Sequence, residues 1–197
     1  MSISAKQVME LREKTGAGIM DAKKALQETE GDMEKAIDHL RAKGAAKAAK
    51  RSDKAANEGI IGSYVHFDDK TAAIVEVNCE TDFVAATDDF KALAKDLALH
   101  IASTDPLGIS KEEIPEDEIE REKQVYLEQA KEEGKPEHIA EKIVEGRLQK
   151  FFKENTLLAQ PFVKDPDKTI EQLITEVSAK TGEKIEVARF ARFKIGE

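Results

Sequence analysis

An α+β fold is predicted from three observations. Three short amphipathic helical patterns fill roughly the first 40 residues, two β-patterned runs stand side by side at 59–67 and 71–79, and a third lies at 184–195 after a long, mainly helical stretch. The expected organisation is a three-helix unit over 1–42, a basic linker helix over 43–57, and an α+β core over 58–197. That core holds a three-stranded antiparallel sheet, packed helices and a helical hairpin at about 115–155. In 197 residues, 40% apolar content suffices for a core, while 36% charged against 5% aromatic implies helices with wet faces.

The first helix starts at Ser4, with Gln7 three residues on to complete a capping box and Ile3 placed to staple against Val8. Val8 and Leu11 mark its buried face, and Thr15-Gly16-Ala17-Gly18 breaks it. A second helix runs from about Ile19 to Glu28 and ends near Gly31. Asp32 caps a third, whose Met33, Ala36, Ile37 and Leu40 share a face. From Arg41 to Lys54 the chain is Ala, Lys and Arg with almost no apolar face, which reads as a solvated linker helix; the other reading is a basic stripe for RNA or an acidic partner.

Gly59–Phe67 and Thr71–Cys79 form a hairpin about Asp68-Asp69-Lys70, with Ala73, Val75, Val77 and Cys79 on one face. A long helix follows, carrying Phe90, Leu93, Ala94, Leu97 and Ile101, until Pro106 and Gly108 end it. Ser110 and Glu113 offer another capping box. Pro115–Asn155 is helical on both sides of Gly134-Lys135-Pro136, hence an antiparallel hairpin whose first helix has few apolar positions. After Gln160-Pro161-Phe162 and Asp165-Pro166, a helix from about Thr169 to Thr181 carries Ile170, Leu173, Ile174 and Val177, with Gly182 as its C-cap. In the last strand Ile185, Val187, Ala191, Phe193 and Ile195 are expected to share one face. Three strands are too few to cover both faces of a sheet without helices or a second chain.

A net charge of -9 opposes bulk nucleic-acid binding, and its uneven spread suggests two units: 12 basic and 9 acidic side chains over 1–57, against 19 and 31 over the rest. The lone Cys79 excludes an intrachain disulfide and a cysteine zinc cluster, and fits a reducing cytosol. No apolar run approaches the roughly 20 residues that span a bilayer, and Met1-Ser2-Ile3-Ser4 lacks a signal-peptide layout, so a cytoplasmic protein without a membrane role is expected. Phosphate-cradling GxxxxGK[ST], GxGxxG and HExxH are absent. His39, His66, His100 and His138 are scattered, and Ser63 and Cys79 lack a nucleophile's context. No enzyme, cofactor or metal is expected.

Two groups of apolar residues stand out. Ile19 and Met20 are neighbours at a helix start and point about 100° apart, so either the core face is wide or one lies outside it. Asn78-Cys79-Glu80-Thr81-Asp82-Phe83-Val84 places an aromatic where a β pattern stops. Either Asp82 caps the next helix with Phe83 packed beneath, or Phe83 is a wedge for another protein.

Thr15-Gly16-Ala17-Gly18-Ile19-Met20-Asp21-Ala22-Lys23-Lys24-Ala25-Leu26, then Asn78 to Val84, Gly134-Lys135-Pro136 through Glu145-Gly146-Arg147-Leu148, and Gln160-Pro161-Phe162-Val163 together resemble the translation elongation factor Ts family. The resemblance covers nearly the whole chain. It implies a guanine-nucleotide exchange factor for elongation factor Tu, with an N-terminal ubiquitin-associated-like domain. It further implies that Thr81, Asp82, Phe83 and Val84 meet the GTPase near its magnesium site, the aromatic inserting between partner side chains, and that Arg12, Ile19 and Met20 contact the same domain. Longer members carry a duplicated core and a C-terminal extension; this chain has one core and ends two residues after Ile195, like short members that act as homodimers. A homodimer covering the exposed sheet is therefore expected, noncovalent at the last strand because Ala191 offers no thiol. Ala159 stands where the family usually has Glu, which weakens a contact there. The alternative is a helical protein-binding adaptor without exchange activity.

Overall fold

The computed structural model describes residues 3–134 and 136–197; Met1, Ser2 and the Lys135 of the predicted helical break lie outside the described residues. Its architecture is α+β, with a three-stranded antiparallel sheet as predicted.

Helices α1 (Ala5–Thr15), α2 (Ile19–Glu28) and α3 (Met33–Ala49) form the N-terminal bundle. The Ser4–Gln7 capping box is present, Gly16 ends α1 in the left-handed region at φ +67°, and Asp32 accepts from the Lys35 amide at 3.1 Å. A small core of Val8, Leu11, Ala22, Ala25, Leu26 and Ala36 is closed by Ile3, Met33, Ile37 and Leu40. The basic run is not a separate solvated helix. Residues 41–49 continue α3 without a break and pack on α8 (Ile170–Thr181), where a Cβ on buried Gly44 would lie 3.2 Å from that of Ala179. The small residues that deprive this stretch of an apolar stripe are what let two helices approach closely.

Strand β2 (Thr71–Cys79) lies between β1 (Glu58–Val65) and β5 (Ile185–Lys194). Its inward Ala73, Val75, Val77 and Cys79 pack in the core with Phe90, Leu93, Ala94, Leu97 and Ile101 of α5 (Asp88–Thr104), along with Leu157, Phe162, Ile170 and Ile174. Instead of one long helix after β2, a single turn, α4 (Asp82–Ala85), precedes α5; Thr81 and Thr87 cap the two in succession. The hairpin is built from α6 (Glu116–Glu132) and α7 (Glu137–Asn155), which pack on each other with Ala130 and Ala140 buried. The expected Ser110–Glu113 capping box does not form: the Glu113 carboxylate accepts from the Ile109 amide, not from that of Ser110.

Two features depart further from the sequence pattern. A two-stranded ribbon, β3 (Pro161–Phe162) and β4 (Asp165–Thr169), escapes a periodicity reading because it is short and holds two prolines. In β5, Val77 pairs with Val187 but Glu76 pairs with Arg189, so Ala188 is an extra residue in the ladder. Beyond that bulge the alternation inverts. Phe190 and Arg192 turn inward opposite Val75 and Ala73, whereas Ala191 and Phe193, expected inside with Ile185 and Val187, face outward. Phe193 and Ile195 are 68% and 75% exposed.

His100, fully buried on α5, ties the ribbon to the core. Its Nε2 bonds Gln160 Oε1 at 2.9 Å, its Nδ1 accepts from the Val163 amide at 3.3 Å, and Gln160 donates to the Glu154 carbonyl at 2.7 Å. Burial holds the imidazole below its ordinary value of 6.5 by disfavouring the charged ring, against the opposing pull of the Gln160 hydrogen bond.

The unfolded chain therefore takes up this proton more readily than the folded one. Stability is complete above about pH 6.5 and falls as the pH drops below it, by at most ~1.4 kcal/mol per pH unit; chemical denaturation between pH 7.5 and 5 will show a slope that His100→Gln reduces. On the inner face of β1, a Cβ at Gly62 would stand 2.3 Å from the Ala94 carbonyl oxygen. Gly62→Ala is expected to cost about 3 kcal/mol in the same measurement.

Candidate partner-binding site

The Thr81–Val84 segment sits where β2 leaves the sheet. Thr81 opens α4 by accepting from the Val84 amide at 3.4 Å, and Asp82 is the first helical residue, not the cap. Successive residues of one turn point different ways. Val84 and Ala85 turn into the core, while Asp82 is exposed and Phe83 is 82% exposed. Phe83 is thus not packed beneath the following helix.

A set of polar contacts surrounds this turn. Glu183 Oε2 accepts from the amides of Glu80 at 3.1 Å and Thr81 at 3.0 Å, and its Oε1 accepts from the Thr81 hydroxyl at 2.6 Å. Glu80 reaches the opposite way, accepting from the Lys184 amide at 2.6 Å and from Arg51 in a two-pronged pair at 2.8 and 2.7 Å. The Arg51 guanidinium, helped by the Lys184 amide, draws the Glu80 carboxyl down to about 2. Beneath them the Cys79 thiol donates to the Thr81 carbonyl at 3.1 Å; burial first, then the Glu183 charge, pushes that thiol up, as suits a structural cysteine.

Arg12, Ile19 and Met20 lie on the N-terminal bundle. Arg12 is exposed in the last turn of α1 and has no ion-pair partner among the described residues. Across the Gly16-Ala17-Gly18 turn, Ile19 and Met20 are 52% and 76% exposed at the start of α2, so both lie outside the bundle core. Residue spacing alone left open a wide core face or one of the two outside it; both are outside.

The two groups belong to separate packing clusters, and side chains bridge the units that carry them. Arg51, just past α3, holds Glu80 beside Phe83's turn. Lys180 of α8 approaches the Gly16 turn with its hydrocarbon stem, and its Nζ lies 2.6 Å from Asp89 at the start of α5. Glu183 and Arg51 escaped the sequence reading, since no local pattern pairs positions 102 and 29 residues from their partners. Among the described residues, no group of three or more His, Cys, Asp or Glu is placed to hold a metal ion, and no helix is long and apolar enough to cross a membrane. What the site presents is an exposed aromatic beside a carboxylate, and a second apolar pair on a neighbouring unit.

A family model described as elongation factor TS matches residues 3–197. The chain is 55% identical to elongation factor Ts of Geobacter sulfurreducens over 197 residues, covering all of this chain and 91% of that protein. It is 56% identical to elongation factor Ts of Syntrophomonas wolfei over 195 residues, 99% of this chain and 91% of that one. Likewise it is 54% identical to elongation factor Ts of Syntrophobacter fumaroxidans over 196 residues, 100% and 98% of the two chains.

Proposed function

The chain belongs to the elongation factor Ts family of translation elongation, and from that premise we propose that it is the guanine-nucleotide exchange factor for elongation factor Tu. It binds the GDP-bound GTPase, disturbs the magnesium site with Thr81, Asp82, Phe83 and Val84, and promotes GDP release so that GTP can bind. The observation that carries this reading is the exposed Phe83 on a turn whose next two residues are buried.

Exchange needs no chemical step by this chain. A factor that binds the nucleotide-free GTPase more tightly than the GDP form must weaken GDP by the same factor. Seating one Phe in a partner is worth roughly 1.5–3 kcal/mol, about one to two powers of ten in affinity. Asp82 orients the segment against the partner, and Arg12, Ile19 and Met20 form a second anchor on the N-terminal unit. The factor and its GTPase meet in the cytoplasm.

The active species in this reading is a homodimer. One face of the sheet lies against α5 and α8, and the other presents Ile61, Val65, Ile74 and Phe193, exposed by 62, 61, 47 and 68%. A second copy meeting this face about a two-fold axis would cover its apolar side chains.

Two experiments test these readings. Stopped-flow release of a fluorescent GDP from elongation factor Tu is expected to accelerate strongly with this protein and to lose about ten- to a hundredfold of that with Phe83→Ala. A folded Phe83→Ala as fast as the wild type would remove the wedge. In sedimentation equilibrium the wild type is expected to be a dimer and Ile74→Glu a monomer; a monomeric wild type at tens of micromolar would exclude the sheet-to-sheet pairing.

A further inference from the structure

We infer that Glu183 is a positioning residue for exchange, fixing the direction in which Phe83 projects by continuing the sheet ladder with a side chain where the backbone can no longer pair. The inference rests on Phe83 acting as the wedge.

The final backbone pair between β2 and β5 is Cys79 with Ile185. One and two steps further the same register would set Glu80 against Lys184 and Thr81 against Glu183. The strands stop pairing there, because Thr81 must open a helix and Gly182 must close one in the left-handed region at φ +77°. Carboxylates replace the missing carbonyl acceptors. Glu183 takes the amides of Glu80 and Thr81, and Glu80 takes the amide of Lys184. Each segment is thus held by the other's side chain, and Arg51 closes the outer side of the exchange.

This arrangement matters because α4 is one turn long and has almost no stability of its own. It is fixed from one side by Val84 and Ala85 in the core. On the other side Glu183 fixes its N-cap residue twice, through the Thr81 amide and through the hydroxyl. With that hydroxyl donating to Glu183 at 2.6 Å, its lone pairs remain to cap the Val84 amide. Without Glu183, two backbone amides and the capping hydroxyl lose their partner together, while the sheet, α5 and the Phe83 side chain keep every other contact. The direction of Phe83 is then set from one side only.

The test is a double-mutant cycle read by GDP release from elongation factor Tu at saturating factor, with circular dichroism confirming the fold of each variant. Glu183→Ala is expected to lose about tenfold in rate, the order of one charge-assisted hydrogen-bonded contact. Glu183→Gln, whose amide oxygen still accepts from both backbone amides, should stay within about threefold. In a Phe83→Ala background, Glu183→Ala should add no further loss. Independently, the indole of Phe83→Trp should show high fluorescence anisotropy that Glu183→Ala lowers. Should Glu183→Ala fail to fold, Glu183→Asp, which keeps the charge but shortens the reach, takes its place in both measurements with a loss expected. A wild-type rate for Glu183→Ala, an additive loss in the double variant, or an unchanged anisotropy would each overturn the positioning role. If Phe83→Ala itself exchanges at the wild-type rate, the wedge reading fails instead, and the two failures are distinct.

Discussion

The close passage of α5 over the inner face of the sheet is the constraint on which the rest depends. With the Ala94 carbonyl pressed against Gly62, the helix axis can approach β1 more closely than any side chain there would allow. Phe90, Leu93 and Leu97 then reach the inward row of β2. That separation fixes how the chain must travel between Cys79 and Asp88. It leaves the sheet, crosses over its end and returns above it within eight residues. A route so short has room for one helical turn, whose inner side is filled by Val84 and Ala85 and whose outer side is left to Asp82 and Phe83. The exposure of an aromatic residue therefore follows from packing elsewhere.

Electrostatics joins the units that the hydrophobic clusters leave separate. The N-terminal 57 residues are net basic and the remainder net acidic, and the contacts follow that division: Arg51 with Glu80, Arg41 with Glu176. Exposed pairs contribute at most about 1 kcal/mol each. The two-pronged Arg51–Glu80 contact is different in kind, because planar geometry fixes orientation as well as distance. The close approach of Gly44 to Ala179 supplies the apolar part of the same junction.

Sequence reasoning reached the parts of this molecule that local physics dictates. Ser4 with Gln7, Asp32 and Gly182 act as caps where their chemistry places them, and the alternation in β2 gives its buried face residue by residue. Where it fell short, the cause is non-local. Ala, Lys and Arg from 41 to 49 look solvated until α8 is present to receive them. Phe83 could be read from its neighbours as core or as surface, because a single turn has no period to read. Of the site, the motif residues were visible, whereas Glu183 becomes visible only when the register of two distant strands is known. The face of β5 was misassigned beyond Ala188 because a bulge breaks the count on which every alternation depends.

That bulge decides more than a local twist. A strand has only two faces, so one inserted residue acts as a parity switch on everything that follows it. With an even count, Phe193 would have lain under the helices and Arg192 would have met solvent; with Ala188 added, Arg192 is held inside against the Ala102 carbonyl and Phe193 is delivered to the outer surface. The apolar part that β5 adds to the outer face of the sheet is thus encoded by chain length rather than by residue choice. A lineage could gain or lose it by one codon.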